Sequence, residues 1–115
     1  MNKKNLFAAL TAIAALNPEG FTVDANTLQP ITAGYCVACK ETQNSFGPEG
    51  LNHVINFVMS DPKVNAFGGW YDSESGAFYW DGTIVLTDKN EAIRLGRLNG
   101  QIAIFDLNNL EEIRL

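Results

Sequence analysis

The sequence predicts an α+β fold: an antiparallel sheet of four to five strands with two helices in split βαβ (ferredoxin-like) order, plus an additional N-terminal helix. Two observations lead to this prediction. One is an aromatic hairpin pattern over residues 68–88, and the other is a strand, helix, strand, strand, helix, strand succession from Gly34 onward. The 115 residues are 46% hydrophobic and 18% charged, so we expect a single globular domain over residues 1–115.

An apolar run over residues 6–16 follows Lys3 and Lys4 and predicts a helix that ends at Asn17 and Pro18. The pattern is also typical of a short signal peptide, but the Asn-Pro-Glu-Gly that follows is a poor cleavage region, so a retained helix is favoured. One face of this helix has no charge, which suits a cover over the far face of the sheet or a contact between subunits. That face consists of Ala8, Thr11, Ala12 and Ala15.

The next segments predict a short strand at residues 21–24, a loop to residue 32, and a second strand at residues 34–42. A polar turn over residues 43–47 leads to Pro48, which suits the first position of a helix that runs to about Ser60. The apolar residues of this helix recur at helical spacing and predict its buried stripe, which consists of Leu51, Val54, Ile55 and Val58.

The central pattern is a β-hairpin, because the polar residues 72–76 separate two aromatic runs and Gly76 can take the positive φ of a tight loop. Asp81-Gly82 is also typical of a second hairpin turn. The period-two alternation continues through these two residues without a slip, however. We therefore prefer one strand over residues 77–87, bent or bulged at Gly82, with Trp80 and Ile84 on the same face.

After this strand, Asp88 and Glu91 form a capping-box pattern that begins a helix over residues 89–99. Asn99-Gly100 is typical of a left-handed helix end. Residues 101–107 are apolar on both faces and predict a covered strand. Residues 110–115 are expected to form a short edge strand or a docked tail.

The formal net charge is −5, and the eight Lys and Arg residues are scattered along the chain. Binding to a phosphate backbone needs clustered cations, so no direct nucleic-acid binding is expected. The apolar run at the N-terminus is too short to span a bilayer, so no membrane association is predicted. The expected location is the cytoplasm, with export as the alternative if residues 1–16 act as a signal peptide.

No group of residues has the spacing of a catalytic, metal or cofactor site, and none of these is predicted. Cys36 and Cys39 lie three apart in a strand pattern, where their side chains point to opposite faces, so we expect both to pack as small hydrophobic residues. His53 is the one histidine, and it lies roughly opposite the buried stripe of its helix. A surface histidine is therefore expected.

The hairpin aromatics are the main indication of a binding surface. If Phe78 and Trp80 face the core, then Tyr79 and one of Trp70 and Tyr71 face away from it. Rings on an open sheet face can stack on ligands, peptides or bases. Packing beneath the N-terminal helix is nevertheless favoured, because exposed apolar patches are rare on monomers. The predicted binding residues are Trp70, Tyr71 and Tyr79 of the hairpin, with Gln43 and Asn44 of the preceding turn.

Several segments resemble small uncharacterised proteins and modules carried by bacterial phages and conjugative elements. They are GGWYDSESGAFYWDG in the hairpin, EAIRLGRLNGQIAIFDL after it, EEIRL at the end, and NPEGFTVD and GYCVACKETQNS nearer the start. Together they cover most of the chain. The resemblance implies a cytoplasmic accessory protein of a bacterial mobile element. It includes no catalytic motif, so it implies no active-site residue.

The leading functional hypothesis is a non-enzymatic interaction module that binds another protein, or itself as a homodimer through the N-terminal helix. The alternative is a small enzyme or ligand-binding domain with a pocket between the aromatic hairpin and the Gln43–Ser45 turn. In that alternative, Trp70 or Tyr79 lines a cleft on which Cys39, His53 or Glu41 converges.

Overall fold

The computed structural model describes residues 2–115 and shows three α-helices and a seven-stranded antiparallel sheet. The helices are α1 (Lys3–Leu16), α2 (Gly47–Ser60) and α3 (Lys89–Leu98). The strands are β1 (Phe21–Asp24), β2 (Tyr35–Ala38), β3 (Ser45–Phe46), β4 (Ala66–Asp72), β5 (Ala77–Leu86), β6 (Ala103–Asp106) and β7 (Glu111–Arg114), and a short 3-10 helix over Lys40–Thr42 follows β2. The predicted α+β class is confirmed.

The strands lie in the order β1-β4-β5-β2-β6-β7, and β3 pairs with β5 outside this path. The sheet therefore differs from the prediction of four to five strands in simple ferredoxin-like order. The additional strands are short: β3 has two residues, and β1 and β7 have four each. Such short segments have weak sequence patterns, and they are held in the sheet by hydrogen bonds to longer neighbours.

The long central strand is confirmed, because β5 runs unbroken over Ala77–Leu86. Its register with β4 extends from Asp72↔Ala77 to Ala66↔Thr83 with no extra residue, so the strand has no bulge at Gly82. A Cβ atom on Gly82 would lie 3.0 Å from Val58 Cγ2 of α2. The glycine therefore allows the helix to lie close to the sheet.

All three helices pack on the same face of the sheet, which we call the helix face. Leu6 and Leu10 of α1 share one hydrophobic cluster with Leu51 of α2 and with Phe67 and Trp80 of the sheet. A second cluster joins α3 to β2 and β6 through Ala92, Val37 and Ile104.

The position of α1 corrects the expectation that this helix covers the far face of the sheet. It lies beside α2, and its half-buried residues Phe7 and Ala14 join the cluster that contains the aromatic rings at the hairpin end of the sheet. Those rings pack on one another with centroids 4.7–6.1 Å apart, and they belong to Phe21, Phe78 and Trp80. The hydrophobic effect places α1 over this aromatic group.

The predicted cap of α3 is confirmed, since Asp88 Oδ1 accepts hydrogen bonds from the backbone amides of Asn90 at 2.8 Å and Glu91 at 3.2 Å. Gly100 follows the helix with φ of +67°, as the left-handed end requires. Within residues 2–115, none of the helices is long and apolar enough to cross a membrane.

The outer edges of β1 and β7, at the two ends of the main strand order, are protected. The outer edge of β1 is paired with the loop that follows it, because Val23 forms a bridge with Pro30 and the Ile31 amide donates to the Thr22 carbonyl at 2.9 Å. The opposite edge is β7, whose exposed charged residues are Glu111, Glu112 and Arg114. Of the two alternatives expected for residues 110–115, a short edge strand or a docked tail, the structure shows the edge strand.

Candidate functional site

The face of the sheet opposite the helices, which we call the open face, has the concentration of aromatic and polar side chains that a binding site requires. Successive strand residues point to opposite faces. Because Phe67 and Trp80 belong to the core on the helix face, Trp70 and Tyr79 belong to the open face. The favoured expectation that the N-terminal helix covers these two rings is wrong, since α1 lies on the helix face.

Three rings form a row on the open face that we call the aromatic ladder: Phe46 of β3, Tyr79 of β5 and Trp70 of β4. Tyr79 pairs with both of the others across the strands. Its ring centroid lies 5.4 Å from that of Trp70 with planes 20° apart, and 5.6 Å from that of Phe46. Trp70 is 48% and Phe46 52% exposed, so the ladder is available to a partner.

The open face is strongly concave beside the ladder. The hydroxyl of Thr22 on β1 lies 3.9 Å from the thiol of Cys36 on β2, although β4 and β5 separate these two strands. In a flat sheet, three strand spacings would hold them about 14 Å apart. The concave surface is lined mainly by small residues, which include Gly68 and Ala66 of β4.

Asp81 of β5 lies in this concave part. Its carboxylate covers Gly68, where an added Cβ atom would be 2.7 Å from Asp81 Oδ1, and it accepts a hydrogen bond from the Thr83 hydroxyl. Burial raises the pKa of Asp81, and the hydrogen bond from Thr83 offsets only part of that effect. In residues 2–115, the ion pairs are Arg94–Glu91 and Arg114–Glu112, so no Lys or Arg there compensates the Asp81 charge.

We expect Asp81→Asn to stabilise the fold at neutral pH by about 1 kcal/mol, because it removes a charge that burial disfavours and keeps an oxygen that can accept from Thr83. The folded-state pKa lies above the ordinary value of 3.8, so the Asp81 contribution to stability falls as the pH rises from 3.8 through the folded-state pKa. The Asp81→Asn variant should lack this decrease in stability with rising pH. Urea unfolding at several pH values measures the difference between the two proteins.

Asp24→Asn is the control, because we expect it to change the free energy of unfolding in the opposite direction. The backbone amides of Thr27 and Asn26 donate to Asp24 and lower its pKa, so its contribution is present above 3.8 and is lost as the pH falls through the lower, folded-state value. We expect this variant to be less stable than the wild type at neutral pH. If the stability of Asp81→Asn depended on pH in the same way as that of the wild type, Asp81 would not have the raised pKa described above.

The two cysteines are free, and neither is activated. Burial raises the pKa of the Cys36 thiol to about 11 and that of Cys39 to about 12. Both thiols are therefore protonated at neutral pH, when thiols are weak nucleophiles. Cys39 is buried in the main core, as predicted, whereas Cys36 is half-buried on the open face. His53 is exposed, and its Nε2 donates to the Glu41 carbonyl at 2.8 Å.

The structure divides the predicted binding residues between two places. Trp70 and Tyr79 stack on each other on the open face. Gln43 and Asn44 are exposed and come directly before β3, the short strand that pairs with β5. Tyr71 lies on the helix face instead, because it follows Trp70 in the strand. Its side chain lines an apolar groove there.

Phe46 and Asp81 complete the site on the open face, and neither was among the predicted binding residues. The sequence does not indicate Phe46 as a binding residue, because it lies within a polar turn whose pairing with β5 is not evident from the sequence. The one indication of Phe46 in the sequence is that it is a large apolar residue between Ser45 and Gly47. The signal for Asp81 was an acidic residue in an otherwise aromatic and apolar strand.

The apolar groove has a volume of about 420 Å³ and lies between α1, the start of α2 and the hairpin. It differs in position from the predicted pocket, since Ser45 and Phe46 pair directly with β5. A ligand site at the Gln43–Ser45 turn stays a prediction. The residues that line the groove are Phe7, Thr11, Ala14, Ala15, Pro18, Gly47, Pro48, Leu51, Tyr71, Phe78 and Trp80.

No family model, curated protein or solved structure matches this chain. The interpretation of the site therefore depends on its geometry and charge.

Proposed function

We propose that the protein is a non-enzymatic interaction module, and that its open face binds a basic, extended segment of a partner protein. The observation that carries the proposal is an exposed aromatic ladder beside carboxylates, with no cation at the open-face positions of the surrounding strands β1 to β5. The open-face positions of β1 to β5 include Asp24, Asp72 and Asp81, and they include no Lys or Arg. The net charge of −5 acts in the same direction.

The chemistry of the aromatic ladder favours arginine or lysine side chains. A guanidinium group stacks on an aromatic face and retains its hydrogen-bond donors for a nearby carboxylate. Alternate side chains of an extended segment are about 7 Å apart, close to the ring separations of 5.4 and 5.6 Å, so two cations two residues apart can each lie over a ring. A cation beside Tyr79 would also compensate the charge of Asp81.

The environment of Asp81 supports a role in binding. An uncompensated carboxylate in a partly buried position lowers stability, and residues of that kind are common at functional sites. We propose that Asp81 stabilises the complex and destabilises the free protein.

We also propose that β4-β5-β2-β6, with α2 and α3, constitutes a split βαβ unit to which α1, β1, β3 and β7 are additions. The four strands and two helices follow one another along the chain in the order typical of that unit. The role of an accessory protein of a bacterial mobile element is proposed on the sequence resemblance alone.

The binding proposal can be tested with labelled synthetic peptides in which arginine alternates with serine, and with matching glutamate–serine peptides as the control. We expect the arginine peptide to raise fluorescence anisotropy and the glutamate peptide to have no effect. Trp70→Ala should weaken binding about tenfold, because it removes one stacking surface.

Tyr71→Ala is the matched control, because this ring is 46% exposed in the same hairpin but lies on the helix face. It should leave affinity for the arginine peptide unchanged. No binding of that peptide at concentrations up to about 1 mM, or equal losses in the Trp70 and Tyr71 variants, would contradict the proposal.

A further inference from the structure

We propose that the outward side of α3 is a second interaction surface, which binds an acidic segment of a partner protein that also carries aliphatic side chains. This surface is on the helix side of the molecule, whereas the aromatic ladder lies on the open face. Binding at α3 therefore goes beyond the proposed function, and either interaction can occur without the other.

The outward side of α3 is the part of the helix that faces away from the sheet. Ala92 and Gly96 are the buried residues of the helix. Helical spacing places Asn90, Arg94 and Arg97 on the opposite side, and all three are exposed. A shallow depression of about 430 Å³ lies along this side, and the residues that line it are Asn90, Ile93, Arg94, Arg97 and Leu98.

Aliphatic side chains border the arginines of this depression. Ile93 is half-buried on one flank, and Leu98 is 66% exposed on the other. Ile102, soon after the end of the helix, is 71% exposed. The amide of Gln101 donates to the carbonyl of Gly96 at 2.9 Å, so the chain turns back and keeps Ile102 beside the last turn of α3. Exposed apolar surface of this kind is typical of interaction sites.

The charge of α3 is opposite in sign to that of the chain. The helix has three cations, Lys89, Arg94 and Arg97, against the one carboxylate of Glu91, whereas the whole chain has a net charge of −5. Arg94 pairs with Glu91 at 2.9 Å. Arg97 forms no ion pair within residues 2–115, so its guanidinium group is available to a carboxylate of a partner.

The apolar and the basic side chains together indicate the class of partner. Exposed ion pairs are weak, so carboxylates alone would bind α3 poorly. Aliphatic side chains that pack on Ile93 and Leu98 add the hydrophobic effect and exclude water from Arg97, whose charge then needs a carboxylate. Nucleic acids and anionic membranes instead present a dense array of negative charge, which a chain of net charge −5 repels.

Fluorescence anisotropy of two labelled synthetic peptides tests the proposal. The first has leucine and glutamate at helical spacing, and in the second serine replaces every leucine. We expect the wild type to bind the leucine–glutamate peptide, with an affinity that falls as salt is added, and to bind the serine–glutamate peptide at least about tenfold more weakly. Trp70→Ala should leave binding of the leucine–glutamate peptide unchanged, because Trp70 lies on the open face.

Leu98→Ala tests the apolar contribution. It should weaken binding of the leucine–glutamate peptide about fivefold, and it should fold normally because alanine favours a helix. Leu16→Ala is the matched control, since Leu16 is also the last residue of a helix and is 81% exposed. This control should retain the wild-type affinity.

Arg97→Glu tests the contribution of charge and should weaken binding at least about tenfold. Arg114→Glu makes the same change of charge on the open face, because its neighbour Ile113 packs in the cluster beneath α3, and it should leave the affinity unchanged. Thermal unfolding checks that both variants are folded.

Three results would overturn the proposal. One is no binding of the leucine–glutamate peptide at up to about 1 mM, or equal losses from Arg97→Glu and Arg114→Glu. Another is binding to vesicles of anionic phospholipid that Arg97→Glu abolishes, since the ligand would then be a lipid surface. The third is a wild type that sediments as a dimer at about 100 µM and an Arg97→Glu variant that sediments as a monomer, which would assign the surface to a second copy.

Discussion

We expect Phe67→Ala to lower the free energy of unfolding by about 3–5 kcal/mol, which is the effect typical of removing a fully buried aromatic ring. Phe67 is 1% exposed and lies at the centre of the cluster that joins α1 and α2 to the sheet. Urea unfolding followed by far-ultraviolet circular dichroism measures the loss. The slope of the transition should stay the same if the unfolded state is unaffected.

The control for this prediction is Trp70→Ala, three residues along the same strand and on the other face. Trp70 is 48% exposed and contacts Tyr79, so its removal should lower stability by about 1 kcal/mol or less. The pair of variants tests the assignment of faces. Similar losses in both, or a greater loss from Trp70→Ala, would show that the two rings do not lie on opposite faces as described.

A second large effect is expected from Gly50→Ala in α2. A Cβ atom there would lie 2.5 Å from the carbonyl carbon of Ser45, and a backbone atom cannot rotate away. Overpacking of this kind typically lowers stability by about 1–3 kcal/mol. The loss should appear although alanine favours a helix over glycine by about 1 kcal/mol. Thermal unfolding provides the measurement.

Asn56→Ala is the matched variant, because Asn56 is exposed in the same helix and its replacement changes helix propensity without a clash. It should leave stability unchanged or slightly raised. Gly50→Ala should also displace β3, and with it the contact between Phe46 and Tyr79, which ring-to-ring nuclear Overhauser effects report. An intact contact in a protein of normal stability would contradict this account of Gly50.

Those parts of the fold that depend on local patterns could be predicted from the sequence. The unbroken alternation through Asp81-Gly82 predicts β5, and the Asp88 cap predicts the start of α3; both are confirmed. The position of α1 could not be predicted, because an apolar stripe shows that a helix is covered but does not show which face of a sheet covers it.

The candidate site was predicted only in part for a similar reason. Alternation places the side chains of Tyr79 and Trp80 on opposite faces of the sheet, but it does not decide which of the two faces the helices cover. Phe46 joins the aromatic ladder through a two-residue pairing with β5. The approach of Thr22 to Cys36 depends on the curvature of four strands together. Neither feature is a property of any short segment.

The protected edges of β1 and β7 limit the addition of further strands to the sheet. A free strand edge offers unpaired amides and carbonyls that can template fibrils or recruit a foreign strand. In this chain the loop through Pro30 pairs with the outer edge of β1. The outer edge of β7 is charged, and its exposed charged residues are Glu111, Glu112 and Arg114. Strand addition at these two edges is therefore disfavoured.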